Sequence, residues 1–321
     1  RVGFMCGAAL GVGGGLVGFG VVYDAWQTSV DRRVALKVLP AGVAADNRAF
    51  FRFLREAKAA AQLNHPNVVG VHGMGVEGQT PWYAMEFVEG ETLAEIVARR
   101  RAGTGASPSE SEEEGLAGFG RLAAAFAGAA DGLQHAHEHG VIHRDVKPSN
   151  LILDAEGRLR ILDFGLARLE GQESLTASGD LVGTPLYMSP EQARRRKVEV
   201  DRRTDVWSLG ATLYELLVLR PPFQGKDAQD TLSRIIAEEP VSPRKLDARV
   251  PKDLETIVLK CLRKDPSARY GTAEALAQDL RRLGRGDPIE ARPQSLAERL
   301  WSRARRRPGR LAAGLAILAL I

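Results

Sequence analysis

Cysteine is scarce in this chain of 321 residues: only Cys6 and Cys261 occur. Two isolated cysteines supply neither a disulfide framework nor a metal-ligand cluster, and a reducing compartment is the default for such a chain. An overall charge of one sign is missing too. The formal net charge of +4 arises in residues 299–310, "RLWSRARRRPGR", which hold six arginines and no acid; without them the balance is 4 − 6 = −2. A near-neutral body removes the electrostatic basis for nucleic-acid binding. No segment repeats at a period of roughly 20–50 residues, which excludes a solenoid. The closing apolar run, "LAAGLAILALI" at 311–321, has eleven uncharged residues, where a membrane span needs about 20. It follows an arginine cluster, the usual cytoplasmic flank of a span, and is expected to be the start of a transmembrane helix.

What remains is ordinary material for a globular core, 44% hydrophobic and 26% charged. Residues 20–38 read as two strands around the polar turn "QTSVDR", and 46–63 as an amphipathic helix. "VVGVHGMGV" and "WYAMEFV" read as further strands. Residues 101–118, "RAGTGASPSESEEEGLAG", are polar and read as a surface loop or disordered insertion. Helical patterns then dominate, at 119–138, 204–219, 227–238, 252–263 and 272–283, with short strands "LILD" and "RLRILD" near 151–163. Strands first and helices afterwards predict an α+β protein with two unequal lobes.

The densest chemistry is in "VIHRDVKPSNLIL" at 141–153, which carries Asp145, Lys147 and Asn150. Downstream lie "DFG", beginning at Asp163, then "SPE" with Glu191 and "DVWSLG" with Asp205; upstream lie "VALKVL" with Lys37 and "LREA" with Glu56. In this order the motifs resemble the protein kinase superfamily, over about residues 15–284, and their wording is most similar to bacterial eukaryotic-like serine/threonine receptor kinases. The resemblance implies a bilobal fold: a β-rich small lobe with one key helix at 15–88 and a mostly helical large lobe at 89–284. An atypical segment at 1–14 would precede it, and a basic juxtamembrane linker at 285–310 would follow. It implies a membrane-tethered, cytoplasmic serine/threonine kinase using ATP and Mg²⁺, with Mn²⁺ as a substitute.

The implied roles fit the chemistry of phosphoryl transfer, which asks the protein mainly for positioning and charge stabilisation. Asp145 would receive the substrate hydroxyl's proton and Lys147 would neutralise the transferring phosphoryl. Asp163 and Asn150 offer hard oxygen ligands for the metal. Lys37 would hold the α/β-phosphates, fixed by Glu56; the bland alternative for that pair is a surface ion pair worth ~0–1 kcal/mol. Met85 is the implied gatekeeper, Glu86, Phe87 and Val88 the hinge beside adenine, and Val22 and Ala35 the roof over the ring. Glu191 would pair with Arg269, and Asp205 would brace the catalytic loop from beneath. His135, His137 and His139 lack the carboxylates or cysteines that would complete a zinc site, and His143 is expected to pack under the catalytic loop.

Residues 2–23 contain eight glycines and no charge. A literal G-x-G-x-x-G stands at Gly13, Gly15 and Gly18, but "GFGVVYDA" favours a phosphate loop ending on Gly20. The three positions are then Gly15, Val17 and Gly20, with Gly18 adjoining. A Cβ at Val17 blocks close approach of backbone to phosphate, so weakened ATP affinity is expected. This defect keeps a second reading open, a weakly active or inactive pseudokinase-like scaffold. A glycine-rich membrane helix over Val2–Tyr23 is a further alternative. Between Asp163 and Glu191, Ser174, Thr176 and Ser178 are candidate phosphorylation sites within an order–disorder segment, with Arg144 placed to pair with a phosphate. Autophosphorylation in a homodimer is the expected route. Thr184 is implied to sit beside the substrate pocket. Ser189, in place of the family's alanine, is expected to be tolerated.

Overall fold

The computed structural model describes residues 3–9, 20–40, 47–103, 112–164, 185–194 and 200–291. Its first part is a five-stranded antiparallel sheet: β1 (Phe4–Ala9), β2 (Val21–Gln27), β3 (Arg32–Val38), β4 (Val71–Glu77) and β5 (Thr80–Glu86), in the order β1-β2-β3-β5-β4. Side chains alternate across a strand, so the sheet has two apolar faces. One carries Ala25, Val34, Leu36 and Ala84, with Phe4 and Trp82 packed on it. The other carries Ala35, Tyr83 and Met85 and is covered by helix α1 (Asn47–Ala60) through Phe53 and Ala57.

Two expectations change here. The sheet begins at Phe4, before the boundary read at residue 15: β1 pairs with β2 from Phe4↔Gln27 to Ala9↔Tyr23 across an irregularity. Glycines do not prevent a strand whose backbone closes the otherwise open edge of β2, and a continuous helix over 2–23 is thereby ruled out. The insertion at 101–118 is not all loop either, because the long helix that follows it starts at Glu112. A run of three glutamates in the sequence suits the positive end of a helix dipole.

The second part is mainly helical. After β6 (Gly90–Thr92) come α2 (Leu93–Arg101) and α3 (Glu112–Glu138); the short β7 (Leu151–Asp154) and β8 (Leu159–Ile161) complete a small sheet with β6. There follow α4 (Pro190–Ala193), α5 (Arg203–Val218), α6 (Ala228–Ala237), α7 (Pro243–Leu246), α8 (Lys252–Cys261) and α9 (Ala273–Arg285). Helix α5 is buried from Thr204 to Leu217, the mark of a helix enclosed on all sides. It meets α8 so closely that a Cβ at Gly210 would fall 2.3 Å from Cys261 Cβ. Sequence periodicity located α5, α6, α8 and α9 within about two residues of their ends, but α1 ends at Ala60 rather than 63, α3 starts seven residues before the expected 119, and β6, α2, α4 and α7 were not anticipated.

Helix α2 starts on a capping box, with Thr92 Oγ1 accepting from the Glu95 amide and the Glu95 carboxylate accepting from the Thr92 amide. Helix α9 ends on Gly286 at φ 74°, a left-handed cap that glycine adopts without strain. The following residues fold back, and Asp279 accepts the amides of Glu290 and Ala291. No described helix is long and apolar enough to cross a membrane; residues 311–321 lie outside the described residues.

Candidate active site

Strand pairing sets the upper wall of the cleft. Residues opposite one another on antiparallel strands project to the same face. Val22 faces Lys37, Lys37 faces Tyr83, and Ala35 faces Met85. One face therefore gathers the implied adenine roof, the gatekeeper and the lysine. Gly20 precedes them at φ 153°, where a Cβ would lie 3.1 Å from the Val38 carbonyl oxygen. Gly15, Val17 and Gly18 lie outside the described residues.

Lys37 is only 1% exposed. Its Nζ lies 2.7 Å from Glu56 Oε1 on α1 and 2.7 Å from Asp163 Oδ2 beyond β8. Burial at this depth excludes the weak surface ion pair. Burial presses Lys37 toward neutrality, but Asp163 and Glu56 outweigh it and raise its pKa. Burial likewise opposes the charge on Asp163, yet Lys37 and the Tyr83 hydroxyl hold that carboxyl below its ordinary value. Glu56 moves the other way: burial raises it, with Lys37 pulling against the shift. Tyr83, not singled out in the sequence, completes the cluster. Its hydroxyl lies 2.8 Å from Glu56 Oε1 and 3.0 Å from Asp163 Oδ1.

The hinge residues follow directly from β5. The Glu86 amide donates to the Gly70 carbonyl at 2.9 Å, and its carboxylate accepts from Arg160 at 2.5 Å. Phe87 stacks under the Arg33 guanidinium, 3.7 Å from its ring centre. Val88 packs at the edge of the sheet's inner cluster.

The lower wall is the loop His143–Asn150. Lys147 Nζ donates to Asp145 Oδ2 at 2.7 Å. Asn150 Nδ2 donates to the Asp145 carbonyl at 2.9 Å and to Oδ2 at 3.3 Å. Beneath the loop Asp205, fully buried on α5, accepts the amides of His143 at 2.9 Å and Arg144 at 2.7 Å. This anchors Arg144 at φ 64°, a conformation costly for a non-glycine residue. His143 is buried under the loop, its Nε2 2.9 Å from the Leu162 carbonyl.

Farther down, Arg269 and Glu191 form a buried bidentate pair with two contacts of 2.7 Å. Ser189 caps α4 in a capping box and lies 2.7 Å from Thr204 Oγ1. Gln192 of the same helix donates to the Arg144 carbonyl at 2.9 Å. The serine is thus a structural element, beyond the neutral replacement expected of it. Ser174, Thr176, Ser178 and Thr184 lie outside the described residues.

The donor set fits a magnesium-type ion. Asn150's amide nitrogen is committed to Asp145, which leaves its carbonyl oxygen as the hard ligand, and Asp163 adds a carboxylate whose oxygens meet Lys37 and Tyr83 in this structure and would turn from them to the ion. Among the described residues no group of three or more His, Cys, Asp or Glu is arranged to hold a metal. Such an ion would draw its remaining ligands from phosphates and water, as Mg²⁺ does. The histidines make other contacts: His137 Nε2 lies 2.8 Å from Asp205, and the His135 and His139 rings lie 4.4 Å apart.

Residues 7–280 match the family model described as protein kinase domain. The chain belongs to the protein kinase family. Among similar kinases, it is 38% identical over 286 residues to serine/threonine-protein kinase PknB of Mycobacterium leprae, covering 87% of this chain and 43% of that protein. To serine/threonine-protein kinase PrkC of Bacillus subtilis it is 34% identical over 287 residues, covering 89% and 42%. The chain therefore spans about two fifths of the curated relatives it matches. The crystal structure of a mutant form of the Mycobacterium tuberculosis PknI kinase domain superposes with a TM-score of 0.62 at 26% identity, covering 88% of this chain and 95% of that one. The kinase fold accounts for the two unequal lobes and for a cleft lined by residues far apart in sequence. Tyr83 was detectable in principle: it stands two residues before Met85 on β5 and so shares the gatekeeper's face.

Proposed function

We propose that this kinase transfers the γ-phosphoryl group of ATP to serine and threonine hydroxyls of proteins. The observation that carries the reading is the mutual clasp of Asp145, Lys147 and Asn150 on a loop anchored by Asp205. A substrate hydroxyl beside Asp145 donates its hydrogen bond to that carboxylate, which orients the oxygen and takes the proton as the new oxygen–phosphorus bond forms and the bond from the γ-phosphorus to the bridging oxygen breaks, releasing ADP. Lys147, already within reach of the carboxylate, offsets negative charge on the moving group. Lys37 binds the nucleotide phosphates from above, and Glu56 holds it in place. Asn150 and Asp163 would hold Mg²⁺ or Mn²⁺, which supplies charge neutralisation at the phosphates. The apolar slot of Val22, Ala35 and Met85 suits a flat purine ring.

Two further parts of the proposal rest on sequence. The serines and threonine at 174, 176 and 178 favour activation by self-phosphorylation within a dimer. The arginine-rich stretch before the apolar residues 311–321 favours attachment to a membrane, with the kinase on its cytoplasmic side. Steady-state transfer to a serine-containing protein tests the core claim. Asp145→Asn is expected to cut kcat by about 10²–10⁴, the worth of a positioned general base, with little change in KM for ATP. A variant with undiminished kcat would remove Asp145 from the mechanism.

A further inference from the structure

Tyr83 is 2% exposed, and its ring is fixed against Phe53, centre to centre 5.0 Å. Its hydroxyl reaches two carboxylates from different parts of the chain: Glu56 on α1 and Asp163 between the lobes. The same two carboxylates share Lys37. Four groups thus form a closed ring, in which each carboxylate meets one ammonium hydrogen and the one tyrosyl hydroxyl. A phenol titrates at about 10 and so carries its proton at neutral pH, and with two acceptor-only carboxylates facing it the hydroxyl is the donor.

One proton cannot fully serve two acceptors. It is shared while both Asp163 oxygens are committed inside the ring, Oδ2 to Lys37 and Oδ1 to Tyr83. A ligand that draws Asp163 Oδ1 away leaves the proton wholly to Glu56. The hold on Glu56 therefore strengthens as Asp163 turns to another partner.

Resting on the kinase reading above, we infer that Tyr83 is a positioning residue that couples the α1 carboxylate Glu56 to Asp163 through its single hydroxyl proton. It touches neither nucleotide nor substrate hydroxyl in this account. Its effect on turnover passes through Glu56, Lys37 and Asp163.

Tyr83→Phe keeps the ring packing and removes only the hydroxyl. The test is a pair of double-mutant cycles on the unfolding equilibrium of the whole chain without nucleotide, combining Tyr83→Phe with Glu56→Ala and with Asp163→Ala. Glu56→Met and Asp163→Leu, which also lack an acceptor, serve if an alanine variant does not fold. Tyr83→Phe alone is expected to raise the unfolding equilibrium constant by about tenfold, the size of a hydrogen bond to a charged group, and by clearly less in each of the other backgrounds. A cost that is the same in every background, or reduced in only one, overturns the coupling. Kinetics give a second readout: kcat should fall, and KM for ATP should rise no more than the loosening of Lys37 accounts for, whereas a rise in KM at constant kcat would make Tyr83 a wall of the nucleotide site and also overturn the inference. The unfolding cycles need no turnover, so they stand or fall separately from the phosphotransfer assay.

Discussion

Lys37 Nζ and Asp163 Oδ2 stand 2.7 Å apart, although 126 residues separate them in sequence. The contact ties the third strand of the sheet to the segment after β8, so the two lobes meet at an ion pair rather than only at the hinge. Glu56 meets the same ammonium from the other side, which places the small-lobe helix under the same control.

Lys37→Met should therefore weaken nucleotide binding and, because it strands the Glu56 and Asp163 carboxylates, lower the stability of the fold as well. Loss of a charge-assisted hydrogen bond of about 1.5–3 kcal/mol corresponds to roughly a tenfold to hundredfold rise in Kd for ATP. Fluorescence titration of the purified variant measures it. An unchanged Kd would take Lys37 off the phosphates.

The Glu191–Arg269 pair predicts an asymmetric stability effect. Arg269→Met strands a buried carboxylate and should cost about 3–5 kcal/mol. Arg269 also donates to the carbonyls of Arg203 and Arg263 at 3.0 and 2.7 Å, so its loss exposes more than one broken contact. Glu191→Gln retains an acceptor and should cost clearly less. Chemical denaturation of the two variants, compared at equal temperature, gives the order; equal costs would contradict it.

Ser189→Ala restores the residue usual in the family yet should destabilise this protein. It removes the cap of α4 and the contact with Thr204, worth about 1 kcal/mol. Thermal unfolding would show the decrease. A gain in stability would mean that the hydroxyl makes no net contribution.

Cys261 gives a prediction in pH. Burial pushes its thiol up to about 12, so the folded protein keeps it protonated while an unfolded chain ionises it near pH ~8.5. With the folded pKa raised, its contribution is fully present below the unfolded value and is lost as pH rises through the folded one. In a Cys6→Ser background, a thiol reagent at about pH 8, close to the unfolded thiol's pKa, should therefore leave the native protein unmodified and react once it is denatured. Rapid modification of the native protein would contradict the burial.

The parts of the site that sequence makes legible are those whose chemistry and spacing act together. Lys37, Glu56, Asp145, Asn150 and Asp163 each have a side chain with few other uses in that order along a chain; the structure joins Lys37, Glu56 and Asp163 in one ion-paired group and Asp145 and Asn150 in another. Tyr83 was not legible because an aromatic residue in an apolar strand reads as core, and its ring does pack in the core; only the sheet register reveals where its hydroxyl points. Ser189 escaped for a related reason, since its partners Thr204 and Gln192 are set by the docking of α4 on α5. At the N-terminus, glycine-rich composition outweighed strand pattern, whereas the free edge of β2 decided the conformation of Phe4–Ala9. Local propensity loses wherever a tertiary partner supplies the missing hydrogen bonds.

The most direct measurement of the central claim is transfer of label from γ-labelled ATP in the presence of magnesium, followed by phosphoamino-acid analysis of the protein itself and of an added protein substrate. The account predicts phosphoserine and phosphothreonine with the native chain and neither with Asp145→Asn. Absence of labelled serine or threonine with the native chain, or undiminished labelling with the variant, would contradict it.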